Sequence, residues 1–242
     1  MTQPFLSIIL PAHNEEQRLP KTLDEVRGFV EAQSYSAEVV LVENGSQDGT
    51  LELAQQYAAR LPFLKVIHED RRGKGLAVRT GILAAKGQYR IFCDVDFSMP
   101  VTEINRFIPP ALPDCQIAIG SREAPGAVRY NEPYYRHLSG RVFNTLVRWL
   151  ALPGLQDSQC GFKCFRGDIA EEIFPLQTNT GWAFDVEVLF IARQHGYRIV
   201  EVPIPWYFNS DSQIRMLRDS WRMVRDLLLI RLNSLQGKYR RR

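Results

Sequence analysis

The sequence predicts an α/β protein with a mostly parallel sheet and helices on both faces. Short apolar runs rich in β-branched residues alternate with longer segments of helical periodicity through the first half of the 242-residue chain. Strands that alternate with helices pair in parallel, because each helix returns the chain to the end of the sheet where the previous strand began. Polar stretches also follow the first four strands, and parallel sheets bind ligands beyond these carboxyl ends.

Each predicted element has a local signal. The predicted strands are FLSIIL (5–10), EVVLVE (38–43), LKVIHE (64–69), YRIFCDV (89–95) and CQIAIGS (115–121). The predicted helices lie around residues 16–34, 49–60, 74–86 and 101–108. The polar stretches are PAHNEE (11–16), ENGSQDG (43–49), EDRRGKG (69–75) and DVDFSMP (94–100). Each stretch alone could be only a turn or a solvated loop, but their coincidence at one sheet edge favours a binding site.

Composition limits the class of protein. A chain with 45% hydrophobic and 24% charged residues is typical of soluble globular proteins. The four cysteines have no CxxC spacing, so we expect reduced thiols in the cytoplasm and no zinc site. No signal-peptide pattern precedes the first strand, and no apolar run approaches the roughly 18 residues of a membrane span. We therefore predict a cytoplasmic protein.

Positive charge is concentrated at the C-terminus. The net charge is +3, but nine of the 30 Lys/Arg and only two of the 27 Asp/Glu lie from Arg215 onward. The preceding body therefore has 21 basic and 25 acidic residues and is net negative. This distribution favours contact between the C-terminal segment and an anionic surface. We predict no nucleic-acid partner.

Asp94 and Asp96 lie at the end of the fourth predicted strand with one residue between them. Alternate residues of an extended segment point to the same side, so these carboxylates should converge on a cation, which could be a lysine, an arginine or a metal. Carboxylate and phosphate oxygens suit Mg²⁺ or Mn²⁺. Lys74 lies between Gly73 and Gly75 and would bring positive charge to the same anion. The alternative is that the two acids cap the next helix.

Two common nucleotide-binding motifs do not occur in the sequence. No GxGxxG follows the first strand, and no GxxxxGK is followed by Ser or Thr. These observations argue against dinucleotide-dependent oxidoreductases and P-loop NTPases. The reaction class that is still consistent with the sequence is a metal-assisted group transfer from a nucleoside diphosphate.

Eight segments occur in an order that matches a known enzyme family. The segments are PAHNEE (11–16), VENGSQDGT (42–50), RRGKGLAVRTG (71–81), DVD (94–96), GSRE (120–123), DSQCGFKCF (157–165), WAFDVEVL (182–189) and RDLLLIRL (225–232). The chain resembles the family 2 inverting glycosyltransferases, and especially the dolichyl-phosphate glucosyltransferases and related polyprenyl-phosphate hexosyltransferases. The resemblance implies a GT-A fold, with a Rossmann-like sheet and a C-terminal amphipathic helix.

The resemblance also suggests a division of the chain. Residues 1–212 would form the GT-A catalytic domain, with a donor half of about 1–121 and an acceptor half of about 122–212. Residues 213–242 would form a basic amphipathic helix and tail that associate with a membrane.

A set of donor-binding residues follows from the resemblance. These residues are Pro11, Asn14, Glu15, Glu43, Lys74 and Asp94. Glu43 would lie near the base and ribose, and Lys74 near the diphosphate. Asp94 and Asp96 would hold the donor and its Mg²⁺ or Mn²⁺. Asp is more common in the family where Glu43 stands here.

Arginines are frequent before and within a further helix predicted to begin after Pro133. They are Arg122, Arg129, Arg136 and Arg141. A guanidinium group matches phosphate oxygens with two parallel N–H groups. The resemblance implies that Arg122 and Arg136 bind the phosphate of the acceptor, with Arg141 next. Alternatively, some of these arginines pair with Glu123 and Glu132 at the surface.

Transfer to the expected acceptor should need little acid–base catalysis. A phosphate monoester is already ionised near neutral pH, so positioning and charge neutralisation should supply most of the rate. If a base acts, Asp157 of DSQCGFK is preferred over Asp185 of WAFDVE, although either could be structural. Asp96, Asp157 and Arg136 are therefore the predicted catalytic residues.

The C-terminal segment has apolar residues at helical spacing. They are Ile214, Leu217, Trp221, Val224, Leu228, Leu232 and Leu235. Arginines are interleaved with them at positions 215, 218, 222, 225 and 231. This pattern is typical of an interfacial membrane helix, and an equal alternative is a helix that docks on the body.

The expected activity is inverting transfer of a hexose, with glucose from UDP-glucose favoured, to a polyprenyl phosphate at the cytoplasmic face of a membrane. The alternatives within the class are GDP-mannose as donor or another acceptor. A nucleotidyltransferase that makes a sugar nucleotide and a non-catalytic nucleotide-sugar sensor are the alternatives from other classes. The sequence predicts no particular oligomeric state.

Overall fold

The computed structural model describes residues 3–96, 98–208 and 216–240. The strands are β1 (Leu6–Ala12), β2 (Ala37–Glu43), β3 (Leu64–His68), β4 (Tyr89–Cys93), β5 (Ile117–Ser121), β6 (Val128–Tyr130), β7 (Phe162–Arg166), β8 (Ile199–Pro203) and β9 (Pro205–Tyr207). The α-helices are α1 (Leu19–Glu31), α2 (Thr50–Ala58), α3 (Lys74–Ala84), α4 (Tyr134–Leu150), α5 (Gly167–Ile173), α6 (Phe184–Gln194) and α7 (Met216–Leu235). Two 3₁₀ helices span Val101–Phe107 and Phe174–Leu176.

Seven of the strands form one twisted sheet in the order β3-β2-β1-β4-β7-β5-β8. Its neighbours are parallel except that β7 runs antiparallel to both β4 and β5. Strands β6 and β9 form a separate parallel pair. The predicted mostly parallel α/β sheet is therefore confirmed. The antiparallel strand β7 was not predicted, and it joins the two halves of the sheet.

Apolar side chains pack on both faces of the main sheet. Along β1, Leu6, Ile8 and Leu10 belong to the core on one face, whereas Ile9 belongs to the core on the other. Successive residues of a strand point to opposite faces, so a strand covered on both sides is apolar at nearly every position. This explains why FLSIIL is apolar at every position except Ser7.

The predicted helix around 101–108 is a 3₁₀ helix that ends at Phe107. The next residue, Ile108, has an extended backbone and precedes Pro109. A residue before proline is disfavoured in the helical region, because the proline ring clashes with its backbone. The proline pair at 109–110 therefore limits the helix to this short form.

Helix α7 docks on the body through one face and leaves another face exposed. Leu227 and Ile230 are buried in the same core as α6. Leu228, Leu232 and Leu235 are 57%, 47% and 84% exposed. Of the predicted apolar stripe, Ile214 lies outside the described residues, and so do the side chains of Leu217 and Trp221. Within the described segments, each helix is too short or too polar to cross a membrane.

Candidate active site

The loops after β1 and β2 are joined by hydrogen bonds at the carboxyl edge of the sheet. The backbone N–H of Asn14 donates to Ser46 Oγ at 3.0 Å, and Asn14 Oδ1 accepts from the Gln47 N–H at 2.8 Å. The Glu15 N–H donates to Thr50 Oγ1 at 2.8 Å. Asn14 has a φ of 55°, in the left-handed region that asparagine tolerates better than most residues. Asn14 and Glu15 therefore fix the shape of this pair of loops.

Two other predicted donor residues lie in the neighbouring strands. Pro11 is a half-buried residue of β1 opposite Val42 of β2. Glu43 ends β2 and is 1% exposed. Its carboxylate accepts from the Ser46 N–H at 2.5 Å and lies 2.5 Å from His68 Nδ1. Glu43 therefore holds the loops together here, and its contact with the base and ribose stays a prediction.

Lys74 is the cation that contacts Asp94. The lysine begins α3, and its Nζ lies 2.7 Å from Asp94 Oδ1. It also lies 5.1 Å from the centre of the Trp182 ring. Burial would lower the pKa of Lys74, but the negative charges of Asp94 and Asp185 outweigh burial and raise it. Lys74 is therefore a half-buried, charged group at the start of α3, directed at Asp94.

Asp96 and Glu15 are carboxylates in an unfavourable electrostatic environment. Burial raises the pKa of Asp96, and the charge of Asp94 raises it further. Asp96 Oδ1 accepts one hydrogen bond from the Ser98 N–H at 3.1 Å. Burial also raises the pKa of Glu15 to about 7, although Arg18 lies 3.3 Å from the Glu15 carboxylate. Additional positive charge at this edge would stabilise the ionised form of both acids.

The donor set of Asp94 and Asp96 fits a hard divalent cation. Mg²⁺ commonly takes one or two protein carboxylates and completes its coordination with phosphate oxygens and water, and Mn²⁺ prefers the same oxygen ligands. Across residues 3–96, 98–208 and 216–240, no group of three or more His, Cys, Asp or Glu side chains is arranged as a metal site. The protein would therefore supply two carboxylates, and a bound diphosphate would supply further oxygens.

Gly161 allows the strand from the acceptor half to approach Asp94. The Asp94 N–H donates to the carbonyl oxygen of Gly161 at 3.0 Å. A Cβ atom at position 161 would lie 1.9 Å from Asp94 Oδ2, so any other residue would force the Asp94 carboxylate to move. Sequence reasoning selected the motif DSQCGFK for Asp157 and missed this role. A glycine directly before a short apolar run was the available signal.

Arg122 and Asp157 form a bidentate ion pair. Arg122 Nε and Nη2 donate to the two oxygens of Asp157 at 2.6 and 2.9 Å, and the Arg122 backbone N–H donates to Oδ2 at 3.0 Å. Asp157 is fully buried. Burial would raise the pKa of Asp157, but Arg122 outweighs burial and lowers the pKa to about 2. A carboxylate with this pKa and these bonds is a weak base, and its evident effect is to orient Arg122.

Arg129 is held by two glutamates. Its Nη2 lies 2.6 Å from Glu123 and its Nη1 lies 2.6 Å from Glu132. For this arginine the alternative of pairing with Glu123 and Glu132 is confirmed. Both Arg129 and Arg122 also lie over the ring of Trp206, at 5.7 and 5.3 Å from its centre. Trp206 of the β6–β9 pair therefore packs against both Arg122 and Arg129.

Helix α4 carries the other two predicted phosphate ligands. Arg141 is exposed and lines a polar cavity of about 50 Å³ together with Thr145, Arg148 and Gln156. Arg136 lies within α4, but its side chain is outside what the structure describes. The contact of Arg136 and Arg141 with an acceptor phosphate stays a prediction.

Asp185 is neutralised by a buried lysine. Lys163 Nζ lies 2.6 Å from Asp185 Oδ1 and donates to the carbonyl oxygen of Cys160 at 2.5 Å. The same Nζ lies 5.3 Å from the centre of the Phe92 ring. This contact favours the structural alternative for Asp185. Sequence reasoning did not identify Lys163 as the partner of Asp185. The available signal was a charged residue within an otherwise apolar run.

A second cavity, larger than the one beside Arg141, lies away from these residues. It has a volume of about 520 Å³ and is formed by α1 and the 3₁₀ helix at Val101–Phe107. None of the predicted donor or acceptor residues lines it. The candidate active site is therefore assigned to the carboxyl edge of the sheet, where the charged residues lie close together.

The chain is similar along nearly its whole length to dolichyl-phosphate beta-glucosyltransferases. The protein of this name from Drosophila melanogaster is 34% identical, with 97% of this chain and 77% of that protein covered. The one from Dictyostelium discoideum is 33% identical, with 96% of this chain and 76% of that protein covered.

Solved structures show that the fold of this chain is also that of known enzymes. Glucosyl-3-phosphoglycerate synthase from Mycobacterium tuberculosis, crystallised with Mn²⁺, UDP-glucose and phosphoglyceric acid, matches 97% of this chain and 80% of its own chain. The TM-score is 0.68 at 20% sequence identity, and the predicted GT-A fold is confirmed. Residues 7–174 match the family described as glycosyl transferase family 2. This chain therefore belongs to glycosyl transferase family 2.

Proposed function

We propose that this protein transfers glucose from UDP-glucose to a polyprenyl phosphate, such as dolichyl phosphate, with inversion at the anomeric carbon. The observation that carries the proposal is the similarity to dolichyl-phosphate beta-glucosyltransferases over 96–97% of the chain. This similarity includes the acceptor half, so it extends beyond a shared fold, which alone would not identify the function. UDP-glucose is the donor bound to the synthase of the same fold.

The donor diphosphate would bind between α3 and the end of β4. Lys74 supplies a fixed positive charge there, 2.7 Å from Asp94. Asp94 and Asp96 would hold Mg²⁺ or Mn²⁺, which as a Lewis acid stabilises the negative charge of the departing nucleoside diphosphate. The nucleoside would extend along the loops of Pro11, Asn14, Glu15 and Glu43.

The acceptor phosphate would bind beside Arg122. Asp157 holds this guanidinium in one orientation, so its position is set before the substrate arrives. Arg136 and Arg141 would add further positive charge from α4. These groups reduce the repulsion between two anionic substrates, which is the main electrostatic barrier to their approach.

The chemical step then needs no protein base. A phosphate oxygen of the acceptor, already anionic near neutral pH, forms a bond to C1 of glucose. The bond from C1 to the diphosphate oxygen breaks, and UDP leaves with the electron pair. The low pKa of Asp157, about 2, agrees with a role in orienting Arg122 rather than in accepting a proton.

The exposed face of α7 would place the protein on the cytoplasmic surface of a membrane. Leu228, Leu232 and Leu235 are exposed on this helix, and Arg225 and Arg231 lie beside them. An amphipathic helix of this kind binds through apolar burial and attraction to anionic lipid. Peripheral binding would bring the active site to an acceptor whose lipid remains in the bilayer.

The test is a transfer assay with the full chain. The protein is incubated with Mn²⁺, a polyprenyl phosphate and a radiolabelled nucleotide sugar, and label is counted in the organic phase. We expect label from UDP-glucose and little from GDP-mannose. Equal or greater transfer from GDP-mannose would show that the donor is wrong. No organic-phase label with any nucleotide sugar would contradict a lipid-phosphate acceptor.

A further inference from the structure

The segment Gln177–Trp182 covers the loop that carries Lys74. Gln177 Nε2 donates to the carbonyl oxygen of Gly75 at 2.8 Å, and the Leu76 N–H donates to the carbonyl oxygen of Thr180 at 3.3 Å. A Cβ atom at Gly73 would lie 2.4 Å from the Thr180 oxygen, so the two backbones are in close contact. Any shift of the 177–182 segment would therefore move the start of α3.

The 177–182 segment is anchored by a buried carboxylate, Glu187 of α6. Glu187 is fully buried and accepts from the backbone N–H groups of Thr178 and Asn179 at 2.9 and 2.7 Å. It also accepts from Thr178 Oγ1 at 2.5 Å and from Tyr239 Oη at 2.6 Å. These four donors are uncharged. A buried carboxylate is stable only when its oxygens are hydrogen-bonded, so each donor matters for the position of the segment.

The same segment is tied to α7 by two further hydrogen bonds. Asn179 Nδ2 donates to Asp226 Oδ2 at 3.0 Å, and Asn233 Nδ2 donates to Thr178 Oγ1 at 3.1 Å. Tyr239, which follows α7, is itself buried. The C-terminal helix and tail therefore contact the 177–182 segment from one side, while the Lys74 loop contacts it from the other.

We propose that Glu187 and Tyr239 are positioning residues for Lys74, and that α7 is thereby part of the structure that binds the donor diphosphate. The proposal rests on the assignment of Lys74 to the donor diphosphate. Neither residue needs to touch the donor. They act by fixing the 177–182 segment, whose Trp182 ring lies against Lys74 and whose carbonyl groups define the turn into α3. One helix would then serve both membrane binding and donor binding.

Tyr239→Phe is the direct test, because it removes only the hydroxyl that donates to Glu187. We expect the dissociation constant for UDP with Mn²⁺, measured by titration calorimetry on the full chain, to rise about fivefold. The apparent KM for polyprenyl phosphate should stay unchanged, since Arg122 lies outside this network. Asp226→Ala removes the contact with Asn179 and should weaken UDP binding in the same direction.

Tyr35→Phe is the control. Tyr35 Oη donates to Asn105 Oδ1 at 2.6 Å, so this variant also loses a tyrosine side-chain hydrogen bond, but one that does not involve Glu187, Tyr239 or the 177–182 segment. We expect normal UDP binding for Tyr35→Phe and weakened UDP binding for Tyr239→Phe. If Tyr239→Phe does not fold, Asp226→Ala against the same control decides the question.

Unchanged UDP affinity in folded Tyr239→Phe or Asp226→Ala would overturn the proposal and leave these contacts a purely structural role. The binding assay is independent of lipid transfer, so a wild type that binds UDP but fails in the transfer assay affects only the proposed function. If another nucleoside diphosphate binds in place of UDP, the same variants are compared with that nucleotide. A wild type that binds no nucleoside diphosphate would overturn both proposals.

Discussion

The donor and acceptor halves of this protein differ in how their charged side chains are arranged. At the donor edge, Lys74 contacts Asp94 and Arg18 contacts Glu15, but burial still raises the pKa of Asp96 and Glu15. In the acceptor half, Arg122 and Arg129 are already fixed by carboxylates. The first arrangement gains from an arriving cation, whereas the second presents cations that are oriented in advance. Substitutions in the two halves should therefore affect different substrates.

The largest effect is expected from loss of a carboxylate at the donor edge. Asp96→Asn should reduce glucosyl transfer by about 10³-fold or more, because the variant loses one of the two charges proposed to hold the metal. The fold should be retained, since the asparagine oxygen can still accept from the Ser98 N–H. Transfer assays with excess EDTA should show the same loss in the wild type.

Asp114→Asn is the control for this substitution. Asp114 is exposed, and its φ of 54° suits asparagine equally well. We expect normal transfer from this variant. Full wild-type activity in excess EDTA would contradict the assignment of the donor edge to a divalent metal.

A smaller effect, on the other substrate, is expected at Arg122. Arg122→Lys should lower kcat/KM for polyprenyl phosphate by about 100-fold, because lysine cannot pair with Asp157 and phosphate in the same fixed geometry. The dissociation constant for UDP should not change. Arg106→Lys, at an exposed pair with Glu103, should behave as wild type. An equal loss of nucleotide affinity in Arg122→Lys would show that the two halves are not separate.

Loss of the carboxylate that orients Arg122 should appear as a pH-dependent loss of stability. The pKa of Asp157 is about 2 in the folded protein, below its ordinary value of 3.8, so its ionisation stabilises the fold above that ordinary value. Asp157→Asn should therefore lower the free energy of unfolding by about 2 kcal/mol at pH 7. The difference from wild type should shrink as the pH falls from about 4 towards 2, because the carboxylate is then protonated in the unfolded chain while it remains ionised in the folded one.

Urea unfolding at pH 7, 5 and 3 measures this difference. Asp24→Asn, at an exposed pair with Arg27, is expected to change stability little at any of these pH values. A deficit in Asp157→Asn that is equally large at pH 3 and pH 7 would mean that packing, and not the ion pair, accounts for it.

The smallest effect concerns the exposed face of α7. The combined substitution of Leu228, Leu232 and Leu235 by serine should reduce co-sedimentation with anionic liposomes about tenfold, because apolar burial is lost while the arginines remain. High salt should weaken binding of the wild type without abolishing it. Leu83→Ser, at an exposed leucine of α3, is the control.

Truncation after residue 212 is not a suitable form of this experiment. The sequence predicts that such a truncation leaves an intact donor-binding body. In the structure, Leu227, Ile230 and Tyr239 are buried in the core, so their removal would expose apolar surface and take one hydrogen-bond donor from the carboxylate of Glu187. The surface substitutions keep these contacts. Unchanged liposome binding in the triple variant would assign membrane contact to another part of the chain.

The sequence by itself determined the alternation of strands and helices and the position of the polar loops at one edge of the sheet. Both follow from local sequence patterns. The spacing of apolar residues decides whether a segment forms a strand or a helix, and the carboxyl ends of parallel strands meet at one edge of the sheet. Asp94, Asp96 and Lys74 could be selected for this reason. The tertiary structure alone decided which charges meet. Arg122 pairs with Asp157 across 35 residues, and Glu187 with Tyr239 across 52. No local pattern specifies such partners, because they depend on where β7 inserts in the sheet and where α7 docks, and both positions are set by burial of apolar faces from distant parts of the chain.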